Sequence, residues 1–252
     1  MEPYNPIVSI ILPTWNRADC LHIPIETCID QTYSNWELWV MDDASTDNTQ
    51  EVVEAYHDPR IHYVKLKKQP YYTFVRNKGI TGSKGDLIAF RDSDGGWAPQ
   101  FLEKLVRPHR NKDVSVTYCG RKNFMNVNLP ELETEEIGGL RPKLKTRPTA
   151  YTGPESLSDK LDVGDIVIKR SVFKDDFQGF SEKKDKSGYC SDAKLIDMIE
   201  KHNPDMKFVM VNNLLHYYFY KHGGAVENMT DTKIRYREEG NFDNELETKW
   251  DF

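Results

Sequence analysis

Two pairs of carboxylates and one mixed polar segment carry the chemistry open to this chain. Asp92-Ser93-Asp94 follows the apolar run LIAF (87–90), Asp42-Asp43 follows WELWVM (36–41), and Thr14-Trp15-Asn16-Arg17 follows IVSIIL (7–12). Each cluster stands where a buried strand is expected to end. Carboxylates crowded at one edge repel one another unless something positive compensates. An Asp-x-Asp pair suits a hard divalent cation, Mg²⁺ or Mn²⁺, that keeps some of its waters and also takes phosphate oxygens. Such an ion stabilises negative charge growing on a departing diphosphate. Taken alone, Asp92-Ser93-Asp94 also reads as a solvated turn ahead of a helix near Pro99. In Asp42-Asp43, one carboxylate is free to accept hydrogen bonds from a base or ribose while the other caps Thr46 or Asp47.

These clusters meet only if their strands run parallel. IVSIIL is unbroken and rich in β-branched residues, as expected of a strand buried on both faces, and Pro13 ends it. Leu21, Ile25, Cys28 and Ile29 then share one helical face, with Pro24 expected to disturb the first turns. WELWVM is the second strand. Asp47 and Gln50 resemble a capping box ahead of a helix containing Val52, Val53 and Tyr56. The alternation continues with strand 61–66, helix 73–83, strand 87–90, helix 99–107 and strand 114–119. Strands alternating with helices predict right-handed crossovers and an α/β fold whose mostly parallel sheet is covered on both faces. In such sheets ligands bind outside the carboxyl ends of the strands, so one rim gathers all four carboxylates. Residues 121–160, rich in charge and proline with a Gly138-Gly139 pair, read as a long surface excursion. Regular patterning returns at 165–168, in a helix over 191–201, and in apolar runs 207–211 and 214–220. The tail from 225 is polar and acidic, with a short helix expected near 231–239.

The 252 residues carry a formal net charge of −6, which argues against a broad basic surface for nucleic acid or anionic lipid. Apolar content of 38 % and aromatic content of 12 % suffice for a packed core. Cys20, Cys28, Cys119 and Cys190 have neither CxxC pairing nor zinc-like spacing and are expected to be reduced and buried. No secretory leader is visible, and no apolar run approaches the length that spans a bilayer, so a soluble cytoplasmic protein is expected.

The segments SIILPTWNR (9–17), QTYSNWELWVMDDASTDNT (31–49) and VRNKGITGSKGDLIAFRDSDGGW (75–97) occur in an order and spacing that strongly resembles the family 2 inverting glycosyltransferases of GT-A fold. The chain is similar to bacterial spore-coat polysaccharide transferases. The resemblance covers about residues 6–120 well and 160–224 more weakly. It implies a Rossmann-like, mostly parallel sheet flanked by helices, with a smaller acceptor-side mixed sheet, in one compact catalytic domain. Residues 1–120 would form the nucleotide-sugar subdomain and 121–224 the acceptor-side catalytic subdomain, with 121–160 as a variable loop and 225–252 as a C-terminal tail. By the same resemblance the donor, a UDP-sugar first of all, is contacted by Pro13, Thr14, Asn16, Arg17, Asp42, Asp43, Arg76, Asp92 and Ser93. Asp43 hydrogen-bonds the base. Asp94, joined by Asp92, holds Mn²⁺ or Mg²⁺, and His222 in HYYFYKHGGAV (216–226) ligates the metal or touches the diphosphate. Gly95-Gly96-Trp97 departs from the commoner acidic-x-Trp continuation.

An inverting transferase needs one carboxylate to take the proton from the acceptor hydroxyl. The family places it at the start of a late helix, and Asp192 matches that position. Asp185 and Asp197 are the rivals, while His216, inside an apolar run, reads as structural. Three other classes fit less well. RDSDGG superficially resembles a phosphatase nucleophile loop, but it follows the fourth strand rather than the first. No GxGxxG follows the first strand, against a dinucleotide-dependent oxidoreductase. A catalytically inactive nucleotide-sugar-binding scaffold is the non-enzyme alternative. Polysaccharide, lipid-linked glycan, protein and modified nucleic acid all remain open as acceptors.

Overall fold

The computed structural model describes residues 4–125, 144–146, 162–173, 179–180 and 192–220. The strands are β1 Val8–Thr14, β2 Trp36–Asp42, β3 Ile61–Lys65, β4 Leu87–Phe90, β5 Gly95–Trp97, β6 Val114–Met125, β7 Leu144–Thr146, β8 Ile166–Lys169 and β9 Lys207–Tyr220. The helices are α1 His22–Ile29, α2 Thr49–Glu54, α3 Tyr72–Gly82, α4 Phe101–Val106 and α5 Asp192–His202. One sheet runs in the order β3-β2-β1-β4-β8-β6-β9-β5, with β7 added to β6.

The apolar runs form strands for the reason their patterns suggest. β1 sits between β2 and β4, parallel to both, and alternates its side chains between two cores. Val8, Ile10 and Leu12 join Leu21 and, from α1, Ile25 and Cys28. Ile11 points the other way, toward Val75 and Ile80 of α3. Leu87 and Ala89 of β4 share the α1 face, while Ile88 and Phe90 share the α3 face. The first four strands are therefore parallel, and the carboxyl ends of β1, β2 and β4 share one rim. Beyond β4 the sheet becomes mixed. β8 is antiparallel to both β4 and β6, β5 is antiparallel to β9, and β6 and β9 are parallel.

Several local expectations are corrected. Pro24 occupies the third position of α1, where its missing N–H would have had no intrahelical partner, and the helix forms undisturbed from His22. Asp47 does not form a capping box with Gln50. Its carboxylate accepts from the backbone and hydroxyl of Thr49 at 3.1 and 2.6 Å, and Gln50 donates to Glu54 at 2.8 Å. The apolar runs 207–211 and 214–220 are one strand, β9, with register shifts beside its pairing partner β6 absorbing the polar break. The excursion from 121 is not all loop, because Arg121–Asn123 of β6 pair with Leu144–Thr146 of β7. Cys20, Cys28 and Cys119 are free and buried as expected. Cys190, His222, Asp185 and the tail from 225 lie outside the described residues. Among the described residues, no helix is long and apolar enough to cross a membrane.

Gly85 shows how tightly the turn into β4 is built. A Cβ there would lie 2.6 Å from Ser9 Oγ and 2.7 Å from Ile7 O and Ser9 N. Two of those atoms are backbone of β1 and the residue leading into it, and cannot yield. Gly85→Ala is therefore expected to cost about 3 kcal/mol, at the upper end for overpacking. A melting temperature lowered by about 6–10 °C in a thermal scan would register that cost.

Candidate active site

The loop after β1 turns at Asn16, whose φ of 49° lies in the left-handed region that Asn tolerates. Its backbone N–H donates to Ser45 Oγ at 2.8 Å and its side-chain oxygen accepts from Thr46 N–H at 2.8 Å. Asn16 thus ties the β1 loop to the β2 loop. Pro13 lies in β1, paired with Met41, and the neighbouring Thr14 is buried with its hydroxyl lacking a hydrogen-bond partner among the described residues.

Asp42 and Asp43 divide their work. Asp42 is fully buried and accepts from Ser45 N–H at 2.9 Å, Ser45 Oγ at 2.5 Å and Tyr63 OH at 2.5 Å. Its carboxylate holds the loop together. Asp43 faces the rim, accepting from Lys68 Nζ at 2.8 Å and Gln69 N–H at 2.6 Å. Lys68 also lies 3.6 Å above the ring of Trp15, which is half exposed. A carboxylate, a cation and a half-exposed aromatic ring therefore stand together at the ends of β1 and β2.

The Asp92–Asp94 loop straddles the sheet. Arg76, buried on α3, forms an ion pair with Asp92 and is sandwiched by the rings of Tyr72 at 4.8 Å and Phe180 at 5.1 Å. Phe180 is held in place by Asn77, which donates to its carbonyl at 2.9 Å and accepts its N–H at 2.8 Å. The carbonyl of Ser93 accepts a weak hydrogen bond from Cys20 at 3.9 Å, which fixes the loop to the α1 side. Asp94 has its carboxyl pushed up to about 6, first by burial and then by the charge of Asp92, against the opposing charges of Arg17 and Arg91. Arg91 continues the alternation of Leu87 and Ala89 to the α1 face and is fully buried. Burial lowers its pKa, yet a guanidinium starts so high that it stays charged.

A second polar layer backs this loop from the far half of the chain. Asp162 caps the short 3-10 turn Val163–Asp165 in a reciprocal capping box with Asp165. Its Oδ2 meets Arg121 Nη1 at 2.7 Å. Asp165 Oδ1 lies 2.7 Å from Nδ1 of the fully buried His216. Gly164 lets the turn approach that ring, since a Cβ there would stand 2.6 Å from His216 Cε1, and its carbonyl accepts from the Trp97 indole at 3.1 Å. His216 is structural, as its apolar surroundings suggest. The sequence reading missed Asp162, Arg121, Asp165 and Arg91. For Asp162 and Asp165 the spacing of a helix-start capping signature was there to be read; for Arg91 the signal was a cation set directly into the β4 run.

Asp162 gives the site an acid dependence. Burial opposes its ionisation, but Arg121, His216, the Gly164 N–H and Arg76 outweigh it and hold the carboxyl down to about 2. A depressed carboxyl contributes stability that is present above its unfolded value of 3.8 and is lost as pH falls toward 2. Arg121→Met is therefore expected to lose about 3 kcal/mol near neutrality. The gap to wild type should close between pH 4 and pH 2, as denaturant melts across that range would register; a gap independent of pH would contradict the pairing.

Asp192 is the first residue of α5, an amphipathic helix whose Leu195, Ile196 and Ile199 are buried. Asp197 is exposed on the same helix. Among the described residues, no group of three or more His, Cys, Asp and Glu side chains is arranged to hold a metal. Asp92 and Asp94 nonetheless fit a hard cation that takes its other ligands from phosphate oxygens and water, the common arrangement for Mg²⁺.

The profile of glycosyl transferase family 2 matches residues 9–176, about two thirds of the chain. The chain belongs to glycosyl transferase family 2. Among curated members, a putative teichuronic acid biosynthesis glycosyltransferase of Bacillus subtilis, TuaG, is 32 % identical over 122 residues, 48 % of each chain. A putative colanic acid biosynthesis glycosyl transferase of Escherichia coli, WcaA, is 39 % identical over 123 residues, 48 % of this chain and 44 % of its own. The chain spans about half the length of the curated relatives it matches. TarS of S. aureus in complex with UDP-GlcNAc superposes with a TM-score of 0.66 at 18 % identity, covering 88 % of this chain and 60 % of TarS. A mannosyltransferase of Pyrobaculum calidifontis with GDP-Man and Mn²⁺ gives 0.61 at 17 % identity, covering 93 % and 61 %. These family 2 and GT-A likenesses establish the same fold.

Proposed function

We propose that this chain is an inverting glycosyltransferase that moves a sugar from a nucleoside-diphosphate donor, a UDP-sugar first of all, to an acceptor hydroxyl. The observation that carries the reading is the shared rim, where Asp43 at the end of β2 and Asp92–Asp94 at the end of β4 flank the end of β1. That rim sits in a family 2 chain whose fold neighbours are solved with UDP-GlcNAc and GDP-Man.

In this reading Asp43 exchanges its contact with Lys68 for the donor base. Trp15, half exposed and in contact with Lys68, offers a ring on which that base can stack. Pro13 and Thr14 form the floor under the nucleoside, and Asn16 and Arg17 shape its near wall. Asp94, with Asp92, would hold Mn²⁺ or Mg²⁺, which when bound neutralises the departing diphosphate. Arg76 steadies Asp92 so that its loop keeps its shape, and His222, two positions beyond the last residue of β9, contacts the same diphosphate. Asp192 takes the proton from the acceptor hydroxyl as its oxygen attacks the anomeric carbon, in one displacement with no covalent sugar–enzyme bond. A relative named for transfer from UDP-Glc to a diphosphoundecaprenol-linked GlcNAc, 34 % identical over 128 residues, supports a glycan acceptor.

A panel of UDP- and GDP-sugars incubated with the chain and Mn²⁺ tests the reading. Slow release of nucleoside diphosphate from one donor, accelerated by glycan acceptors, is expected. Binding without release would favour a nucleotide-sugar-binding scaffold, and release of inorganic phosphate instead would favour phosphatase chemistry.

A further inference from the structure

Asp162 is charged, reachable and without a part in the proposed chemistry. Its side chain is 22 % exposed, whereas that of Asp165 is 3 % exposed and spent on His216 and on the Asp162 N–H. Oδ1 of Asp162 accepts from Gly164 N–H at 3.0 Å and Oδ2 from Arg121 Nη1 at 2.7 Å. A carboxylate offers about four acceptor positions, so each oxygen keeps a lone pair for a further donor. Against the cost of burial, Arg121, His216 and the Gly164 N–H hold the carboxyl down to about 2. It stays ionised and is a poor base, so its use is to accept hydrogen bonds.

Its position across the sheet identifies the groups that donate them. The proposed donor contacts advance in strand order: the base at Asp43 after β2, the nucleoside floor at the end of β1, and the diphosphate at the loop after β4. β8 is the next strand, antiparallel to β4 with Ala89 opposite Val167. Its entry turn, 162–165, therefore stands on the same rim, one strand spacing or about 5 Å further along. Electrostatics agree with that placement. The charge of Asp162 acts on Asp94 and Arg91, and that of Arg76 acts on Asp162. A nucleoside-diphosphate sugar is a linear molecule of base, ribose, diphosphate and sugar. Laid in that order from β2 to β4, it brings its sugar ring over β8.

We infer that Asp162 holds the transferred sugar, its two carboxylate oxygens accepting from neighbouring hydroxyls of the ring. Arg121 is the positioning residue behind it. Its guanidinium, 7 % exposed and set 5.7 Å over the Tyr218 ring, fixes the orientation of the carboxylate. A donor lacking one of those hydroxyls leaves a desolvated carboxylate oxygen unpaired and is rejected. This inference rests on the nucleotide-sugar reading above and assigns the sugar's subsite within it.

Isothermal titration of the full chain in Mn²⁺, with UDP, GDP, UDP-Glc, UDP-Gal, UDP-GlcNAc and GDP-Man as probes, tests it. Asp162→Asn keeps the size of the side chain and removes its charge. The variant is expected to bind the preferred sugar nucleotide about tenfold more weakly than wild type, the scale of one hydrogen bond to a charged group. Its affinity for the parent nucleoside diphosphate should stay within about twofold. Ring-deoxy analogues of that donor complete a cycle: loss of one particular hydroxyl should weaken binding to wild type about tenfold and to the variant less than about twofold. An equal loss for sugar nucleotide and nucleoside diphosphate would make Asp162 structural and overturn the inference, as would a donor affinity unchanged by the substitution. Should Asp162→Asn fail to fold, the double variant Arg121→Met, Asp162→Leu takes its place, since losing both partners of a buried pair destabilises far less than losing one. A wild type indifferent to the removal of every ring hydroxyl overturns the inference without any variant. Sugar-nucleotide binding that ignores Asp162 sinks this inference alone, whereas no binding of any sugar nucleotide sinks it together with the proposed function.

Discussion

Asp192→Asn is expected to lower sugar transfer by about 10²–10⁴-fold, the usual worth of a positioned general base, and to leave donor affinity within about twofold of wild type. Asn keeps the size and hydrogen-bonding shape of Asp but cannot accept the acceptor's proton. The reasoning begins with α5. Leu195, Ile196 and Ile199 are buried and anchor the helix, so its first residue is fixed by packing rather than by its own charge. Asp197→Asn is the control: the residue is exposed on the same helix, and its loss should leave the rate unchanged. Steady-state kinetics of both variants, with donor binding measured separately, checks the pair of expectations. An Asp192→Asn enzyme that kept most of its rate would move the base elsewhere.

Asp94→Asn should separate activity from stability. In the proposed reading Asp94 is the direct metal ligand, so the substitution is expected to lower kcat/KM by about 10²–10³-fold, the scale of removing one electrostatic contact to a transition state. The fold has the opposite interest. Burial and the neighbouring Asp92 both disfavour the ionised carboxyl at 94, which is why it is pushed up to about 6. Near pH 7.5 the neutral amide removes that repulsion, and the melting temperature is expected to stay level or rise. A variant that lost activity and stability together would make Asp94 a structural residue instead. Loss of function with gain of stability is the pattern of a residue held in place for chemistry at a cost to folding.

Much of this arrangement was legible in the sequence because the first four strands announce themselves. LIAF is apolar without interruption, and IVSIIL and WELWVM are broken only by Ser9 and Glu37, the pattern expected of strands covered on both faces. Parallel pairing then placed Thr14, Asp43 and Asp92 along one rim without any knowledge of side chains. What the pattern did not reveal depends on partners distant in the chain. Asp42 and Asp43 look alike in sequence, and only Tyr63 and Ser45 closing on Asp42 show that it faces inward. The pairing of Asp165 with His216 spans 51 residues, and that of Arg121 with Asp162 spans 41, beyond the reach of periodicity. Pro24 and Asp47 were misjudged for a more local reason. Shifting a helix start by one or two residues changes whether a proline breaks the helix or merely opens it.

The same distinction explains the mixed half of the sheet. β9 carries Asn212-Asn213 in its middle, which reads as a turn between two short strands. Pairing with the long β6 keeps the strand continuous, and the register shifts between Tyr118 and Arg121 take up the irregularity. Trp97 illustrates how that half supports the rim. It stacks on Phe101 at 4.1 Å, donates to the Gly164 carbonyl and underlies Arg91, so one side chain links α4, the 162–165 turn and the end of β4.

The central claim is that the rim formed by β1, β2 and β4 binds a nucleoside-diphosphate sugar. A thermal-shift screen of nucleotide sugars, run with and without Mn²⁺, tests it most directly. A ligand bound only by the native state stabilises it by about 2.7 kcal/mol when present at a hundredfold excess over its Kd. For a chain of this size that corresponds to a rise of about 5–10 °C. The account predicts such a rise for at least one UDP- or GDP-sugar, larger with Mn²⁺ than without, and its loss in Asp43→Ala. A melting temperature unmoved by every nucleotide sugar, with and without the metal, would contradict it.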